Sequence, residues 1–282
     1  MLEKINKHPR DKLLFFDKKR HAYRTSNCPY LKSITTVVSN QFAKFDADKV
    51  IRKMMASAKW NSSNKYYGKT PTQIKKQWNE NGKLSRDAGT LVHEQIETYL
   101  NSENEEIELE LSDDTFCRFQ EWDEARGWTP YRTEWRIFDE ESKIAGTVDA
   151  VFINENGEYV IVDWKRCENI DLTNRFEKST NPSLDHLPKC KFVQYSLQLN
   201  LYKYILEKNY GIRIAAMYIV NVHPTQTSFQ ELEALDLSKE VLTILNPDRA
   251  IITSAQGKPL STNLLHALKN GGIKISGTLY IQ

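Results

Sequence analysis

The 282-residue sequence contains no apolar run that approaches the roughly 18 to 20 residues needed to cross a membrane. Its first dozen residues, MLEKINKHPRDK, lack the apolar stretch of a signal peptide and the acid-poor composition of a transit peptide. We therefore expect a soluble intracellular protein of the cytoplasm or nucleoid, without a membrane partner, with host or viral origin left open.

The sequence also lacks any CxxC pair, and its four cysteines stand far apart. This spacing disfavours a disulfide framework or a zinc ribbon and favours reduced thiols. No internal repeat or low-complexity segment is present, and 40% of the residues are hydrophobic, enough for a sizeable core. A disordered or fibrous chain is excluded, and the length predicts one large domain or two small ones.

Net charge is small as well, at +2, which by itself argues against a nucleic-acid partner. The total conceals a strong asymmetry along the chain. Residues 1–90 contain 20 Lys and Arg against 7 Asp and Glu, whereas residues 91–160 contain 5 against 19. Such an asymmetry suggests a polyanion-binding part joined to an acidic part.

Hydrophobic periodicity predicts the order of the elements. The N-terminal third is predicted to have two short strands in residues 13–24, helices at 46–59 and 74–78, a break at Gly82 and a helix at 86–101. An acidic loop around 103–110 and a helix at 113–126 follow, then strands at 131–139, 143–153 and 158–166, a helix at 190–208 and a strand at 213–223. The third strand of this set is expected to be central, and a short helix is expected near 262–269.

Two acidic residues differ from the many solvated ones because they lie in predicted strands. Asp149 lies in the strand GTVDAVF, and Asp163 lies in IVDWK, two residues before Lys165. Residues i and i+2 of a strand share a face, so Asp163 and Lys165 point together, and Asp149 can lie beside them if the hairpin pairs. Converging carboxylates form a hard oxygen site for Mg²⁺ or Mn²⁺, and an adjacent ammonium can stabilise a phosphate. The alternative is an ordinary salt bridge between strand-end acids and Lys165.

Four motifs resemble those of the PD-(D/E)XK nuclease superfamily. They are GTLVHEQIE (89–97), GTVDAVF (146–152), IVDWK (161–165) and QLNLY (198–202). The resemblance extends over residues 13–223 and is greatest to the RecB-like branch, which includes mitochondrial genome maintenance exonucleases and related viral and phage nucleases. Four ordered motifs are far more specific than any one of them.

The resemblance implies a role for each matching residue. The implied metal ligands are His93, Asp149, Asp163 and the backbone carbonyl of Trp164, and the implied catalytic residues are Asp149, Asp163, Lys165, Gln198 and Tyr202. It also implies Mg²⁺ as the cofactor, with Mn²⁺ able to substitute. Gln198 and Tyr202 share a helix face at i and i+4, which agrees with joint action. Considered without the resemblance, His93 could equally be an ordinary core or surface histidine.

Departures from the family pattern limit what is carried over. Val148 replaces the proline of the family name, which should leave the role of Asp149 intact. Cys28, Cys117, Cys167 and Cys190 lack the close late cluster that an iron–sulfur site requires, so we predict no iron–sulfur cluster. Glu134 is a further candidate acid whose membership the strand alternation leaves open. Gly68-Lys69-Thr70 does not make a P-loop, because Ser63 stands where a glycine is needed.

The basic N-terminal part is a candidate track for DNA. Its cations could follow a phosphate backbone while interleaved aromatic rings stack on bases. The predicted DNA-contacting residues are Arg52, Lys53, Lys59, Lys65, Tyr66 and Lys69. The alternative is a solvated basic face over a packed aromatic core.

Together these patterns predict an α/β fold with a restriction-endonuclease-like core, in which helices flank a mixed central sheet. We expect a basic N-terminal part (1–88) with a β entry and a helical DNA-binding subdomain, a nuclease core (89–246) and a C-terminal extension (247–282) of unknown role. The expected function is a metal-dependent DNA exonuclease acting on DNA ends, with single strands as the candidate preference, in replication, repair or recombination. A structure-specific endonuclease and a catalytically silent DNA-binding module are the alternatives.

Overall fold

The computed structural model describes residues 2–102 and 114–246 in full, together with the backbone of residues 275–276. The predicted acidic loop at 103–110 and the predicted helix near 262–269 lie outside these residues. Among the described helices, none is long and apolar enough to cross a membrane.

The α/β architecture is confirmed. The predicted helices and strands occur in the predicted order, except that the helices at 74–78 and 86–101 are one helix, and several short elements lie among them that the sequence did not predict. The helices are α1 (Leu2–Ile5), α2 (Ile34–Ser39), α3 (Ala47–Met55), α4 (Pro71–Asn101), α5 (Asp114–Arg126), α6 (Lys191–Asn209) and α7 (Ser238–Leu245). The strands are β1 (Phe15–Asp17), β2 (Ala22–Arg24), β3 (Lys32–Ser33), β4 (Thr129–Asp139), β5 (Ile144–Ile153), β6 (Tyr159–Lys165), β7 (Ile214–Asn221), β8 (Gln230–Glu233) and β9 (Ile275–Ser276).

Strands β3 to β9 form one mixed sheet, and β1 pairs with β2 in a separate hairpin. β4 runs antiparallel along nearly all of β5 and occupies one edge of it. β3 and β6 share the opposite edge, where β3 pairs with residues 144–145 and β6 with residues 150–153. The intervening residues of β5, 146–149, therefore have a described strand partner only in β4.

Helices cover both faces of the sheet, which is why the central strand is apolar on both sides. β6 lies between β5 and β7, and Val160, Ile161 and Val162 are fully buried, as the sequence predicted. Ile161 packs in the cluster formed with α2 and α6, whereas Val160 and Val162 pack with α4 and α5. Burying one such side chain stabilises a fold by about 1.5 to 3 kcal/mol.

The predicted break at Gly82 is wrong, because α4 runs through this residue without interruption. A glycine inside a helix costs only about 1 kcal/mol relative to alanine. A capping box formed by Thr70 and Gln73 starts the helix, and the buried residues Ile74 and Ile96 hold its two ends in different clusters. Packing at both ends thus outweighs the local preference of Gly82.

The N-terminal end of α4 packs with α3 in a small cluster of its own. Ile51, Tyr66 and Ile74 are its buried members, and Trp60 and Trp78 pack against them. Because α4 continues past residue 88, one helix links this cluster to the sheet. The division of the chain into three parts stays a prediction.

Gly146 is a position where the packing permits no side chain. A Cβ built on it would lie 2.7 Å from Cε1 of Tyr202 and 3.1 Å from Cδ1 of Ile34, both buried. We expect Gly146→Ala to lower the free energy of unfolding by about 1 to 3 kcal/mol and to displace the Tyr202 ring. Chemical denaturation measures the effect.

Gly89→Ala is the matched control, since a Cβ built at Gly89 of α4 meets no atom of the described residues within 4 Å apart from its chain neighbours and the backbone of its own helix. It should keep or raise the stability, by up to about 1 kcal/mol. Equal stability of Gly146→Ala and the wild type would contradict the close packing at Tyr202.

Candidate active site

The candidate site lies where β5 and β6 separate. Their pairing ends with Ala150 opposite Val162. Asp149 precedes Ala150 on β5, and its Oδ2 accepts a hydrogen bond of 3.0 Å from the backbone N–H of Trp164. The fork between the strands therefore holds the Asp149 carboxylate beside the end of β6.

Three side chains from different elements meet at this fork. His93 of α4, Glu134 of β4 and Asp149 of β5 each offer a ligand atom within 4.8 Å of the others. Nδ1 of His93 lies 3.6 Å from Oε1 of Glu134 and 3.5 Å from Oδ2 of Asp149. Two carboxylates supply the hard oxygen ligands that Mg²⁺ and Mn²⁺ prefer, and the imidazole adds a nitrogen donor. The side chains present thus fit a divalent cation.

Glu134, which the sequence left open, adopts an unusual backbone conformation within β4. Its φ is +43°, in the left-handed region. The neighbouring residues Thr133 and Trp135 keep their pairing with β5, which places Glu134 opposite Asp149. A non-glycine residue in this region costs about 1 to 3 kcal/mol, and such residues cluster at functional sites.

The charges at the fork control the protonation of His93. Burial alone lowers the pKa of His93, but the charges of Asp149 and Glu134 outweigh burial and raise this pKa to about 9. Without a metal, the imidazole is therefore protonated at neutral pH. Because a metal ligand must be a neutral imidazole, a cation bound here displaces that proton.

Asp163 and Lys165 form an ion pair beside the three-residue cluster. Asp163 is only 1% exposed, and Nε2 of Gln198 donates a hydrogen bond of 3.1 Å to its Oδ1. The same Gln198 nitrogen donates to the hydroxyl of Tyr202 at 3.2 Å. The predicted i and i+4 pair on α6 thus supports the predicted carboxylate.

Burial raises the pKa of Asp163 to about 6, although Lys165 opposes the shift. Burial also lowers the pKa of Lys165, but the charges of Asp163 and Asp149 outweigh this and raise it above its usual value. The lysine is therefore a cation at neutral pH. It can donate hydrogen bonds but does not accept a proton.

The predicted ligands thus fall into two adjoining groups. Asp163 is not among the three residues that meet within 4.8 Å, and its carboxylate contacts Lys165 and Gln198 instead. Trp164 contributes its backbone N–H to Asp149, while its indole packs 4.8 Å from the ring of Trp122. Metal binding by Asp163 and by the Trp164 carbonyl stays a prediction.

Tyr195 is a contact of the site that the sequence analysis missed. Nζ of Lys165 lies 4.8 Å from the centroid of its ring, and its hydroxyl lies 3.3 Å from Sγ of Cys167. Tyr195 stands three residues before Gln198 on α6, so both share a helix face. That spacing is the signal that could have found it.

The site opens into a cleft of about 850 Å³ with two distinct walls. Arg86, Gly89 and His93 of α4 line one wall, and Phe16 and Tyr23 of the β1–β2 hairpin line the other. Strands β4 and β5 form the floor between these walls. His93, Glu134 and Asp149 all line this cleft, so a substrate in it can reach the cluster.

The predicted DNA-contacting residues lie elsewhere, and none of the six, all described, lines this cleft. Lys69 donates a hydrogen bond of 2.6 Å to Gln77, and Tyr66 is 8% exposed with its ring edge-on to Trp78 at 5.8 Å. The burial of Tyr66 favours the packing alternative, while DNA contact by the six stays a prediction. Four of the six predicted residues are exposed cations, namely Arg52, Lys53, Lys59 and Lys65.

Comparison with known proteins identifies a family. Residues 108–258, more than half of the chain, match a family model described as the PD-(D/E)XK nuclease superfamily. A solved crystal structure, that of SSO0001, is similar to this chain at 13% identity and a TM-score of 0.33, covering 80% of this chain and 77% of that one. No curated protein sequence matches.

The membership of Glu134 in the cluster can be tested without activity. In the metal-free protein, Glu134→Gln should lower the pKa of His93, because one of the two carboxylates that raise it becomes neutral. NMR titration of the imidazole measures this pKa. Glu94→Gln is the control on the same helix and should leave it unchanged.

The same shift predicts a stability profile for the metal-free protein. Since folding raises the pKa of His93 from 6.5 to about 9, its stabilisation is complete below pH 6.5 and is lost as the pH rises through about 9. Glu134→Gln should flatten this loss. An unchanged His93 pKa in that variant would place Glu134 outside the cluster.

Proposed function

Because the chain belongs to the PD-(D/E)XK nuclease superfamily, we propose that it is a metal-dependent deoxyribonuclease that hydrolyses phosphodiester bonds at DNA ends. The observation that carries the proposal is the cluster of His93, Glu134 and Asp149, which lines the cleft and adjoins the buried ion pair of Asp163 and Lys165. Nucleases of this superfamily generally use divalent metals such as Mg²⁺ and act on DNA.

His93, Glu134 and Asp149 would hold the cation, with Mg²⁺ as the proposed ion and Mn²⁺ as a substitute. When bound, such a cation supplies Lewis-acid stabilisation of the negative charge on a phosphate. Binding also requires His93 to release its proton, so the cluster changes from a proton site to a metal site.

Lys165 would stabilise the charge that develops on the phosphate and position the attacking water. Its raised pKa keeps it protonated, so it acts as a hydrogen-bond donor rather than a base. Asp163 holds the ammonium on one side, and the ring of Tyr195 lies over it on α6. Because Gln198 holds Asp163 by a hydrogen bond, the Lys165 ammonium is oriented before the substrate arrives.

End-directed cleavage is the finer part of the proposal. It rests on the resemblance of the four sequence motifs to those of RecB-like exonucleases. The exposed cations of the N-terminal part, among them Arg52 and Lys53, could attract the remaining phosphates. We propose an exonuclease that serves replication, repair or recombination.

Removing either member of the buried ion pair should abolish most of the activity. Asp163→Asn and Lys165→Met should each lower the turnover of end-labelled linear DNA by about a hundred- to a thousandfold, because each removes or misplaces a preorganised charge. Single-turnover degradation with Mg²⁺ and with Mn²⁺ is the measurement. A thermal melt of each variant checks that it is folded.

Lys178→Met is the matched control, since it breaks an exposed ion pair with Asp185 and should leave turnover unchanged. If Asp163→Asn and Lys165→Met both degraded the DNA as fast as the wild type, the proposed roles would be refuted. Retention of DNA by the wild type without cleavage in either metal would instead identify a silent DNA-binding module.

A circular substrate separates the two kinds of nuclease. The wild type should degrade a linear single strand and leave a circular single strand of the same sequence intact, because a circle offers no end. Gel analysis of both substrates in one reaction gives the comparison. Cleavage of the circle at a similar rate would show an endonuclease.

A further inference from the structure

Two pairs of residues lie one step apart on the floor of the cleft. Glu134 stands opposite Asp149 in the cluster that these two residues form with His93, and Arg136 is paired with Thr147. Thr147 and Asp149 are two residues apart on β5, so they share a face at a separation of about 7 Å. All four residues line the cleft. The second pair therefore adjoins the proposed site of cleavage.

The β1–β2 hairpin lies over this second pair. The hydroxyl groups of Tyr23 and Thr147 are hydrogen-bonded at 2.9 Å, which anchors the hairpin to β5. The guanidinium carbon of Arg136 lies 5.1 Å from the centroid of the Phe16 ring. The rings of Phe16 and Tyr23 are 4.6 Å apart and tilted by 31°. The hairpin thus presents an aromatic side to the cleft beside Arg136.

Arg136 is an exposed cation whose described contacts leave its hydrogen-bonding edge available. Within the described residues its guanidinium contacts the ring of Phe16, with no hydrogen bond or ion pair to a carboxylate. A guanidinium is flat and stacks on aromatic planes, including nucleobases. The five donors on its edge can bind a phosphate at the same time.

We propose that Arg136, supported by Phe16, forms a subsite for an unpaired nucleobase next to the cluster of His93, Glu134 and Asp149. The inference rests on the proposed nuclease function and adds the class of substrate, single-stranded DNA. A base inside a duplex is stacked on its neighbours and cannot offer its face to the guanidinium. An unpaired base can do so while its phosphate reaches the cluster.

The hairpin contains its own matched control. Arg24 lies over the ring of Phe15 at 4.8 Å, which is the same kind of contact as that between Arg136 and Phe16. Consecutive strand residues project from opposite faces, and Phe15 does not line the cleft. A general effect of Phe–Arg stacking on the hairpin would therefore affect both rings, whereas a subsite involves only Phe16.

The test measures binding by the full chain, in Ca²⁺, of short single-stranded oligodeoxynucleotides in which each base in turn is replaced by an abasic sugar. Fluorescence anisotropy gives the dissociation constants. For the wild type we expect one position at which loss of the base weakens binding about tenfold, the value typical of one stacked base. Arg136→Lys, which keeps the charge but not the plane, should abolish that difference, and Phe16→Leu should reduce it.

Phe15→Leu should retain the full difference at that position. The proposal is overturned if no position is sensitive in the wild type, or if Arg136→Lys keeps the tenfold difference. Arg136→Lys decides the matter should Phe16→Leu fail to fold, because Arg136 is exposed. Base-dependent binding without cleavage in Mg²⁺ or Mn²⁺ would support the subsite while refuting the nuclease function.

Discussion

The hydrogen bond from the Trp164 backbone to the Asp149 carboxylate is the contact on which the site depends. Among the described strands, β6 pairs with β5 only as far as Ala150, and β3 takes the same edge of β5 at residues 144–145. A backbone donor inside a sheet must still find an acceptor, and Asp149 provides one for Trp164. The same bond orients the carboxylate toward His93 and Glu134. The sheet topology thus creates the fork between β5 and β6, and the fork sets the geometry of the site.

The fork gathers acids, and their mutual repulsion has to be balanced inside the protein. Asp163 is buried, and a buried charge costs several kcal/mol unless a partner compensates it. Lys165 compensates the charge of Asp163 and Gln198 donates a hydrogen bond to it, while the protonated His93 partly compensates the charges of Asp149 and Glu134. Three carboxylates thus face two cations, so the metal-free site keeps one net negative charge, and exchange of the His93 proton for a divalent cation neutralises it.

Two elements give the site its surroundings, and they differ in how they are held. α4 has 31 residues and extends about 46 Å, so one helix joins the small hydrophobic cluster around Ile51 to His93 at the fork. The β1–β2 hairpin is held by the hydrogen bond between Tyr23 of β2 and Thr147 of β5 and by the contact of Phe16 with Arg136. Between its tip and α4 lies an exposed ion pair of Lys18 and Glu94 at 3.9 Å, which is worth at most about 1 kcal/mol. The cleft is therefore bounded on both sides without being locked.

The sequence by itself determined the order of the main strands β4 to β7 and of α6, the central buried strand β6, and the local pairs Asp163 with Lys165 and Gln198 with Tyr202. Those features depend on a spacing of two in a strand or four in a helix, which holds wherever the element forms. Tertiary structure decided the rest: the unbroken α4 despite Gly82, the left-handed Glu134 opposite Asp149, and the placement of Tyr195 over Lys165. Each of these depends on packing or pairing between segments far apart in the chain, which no local pattern encodes.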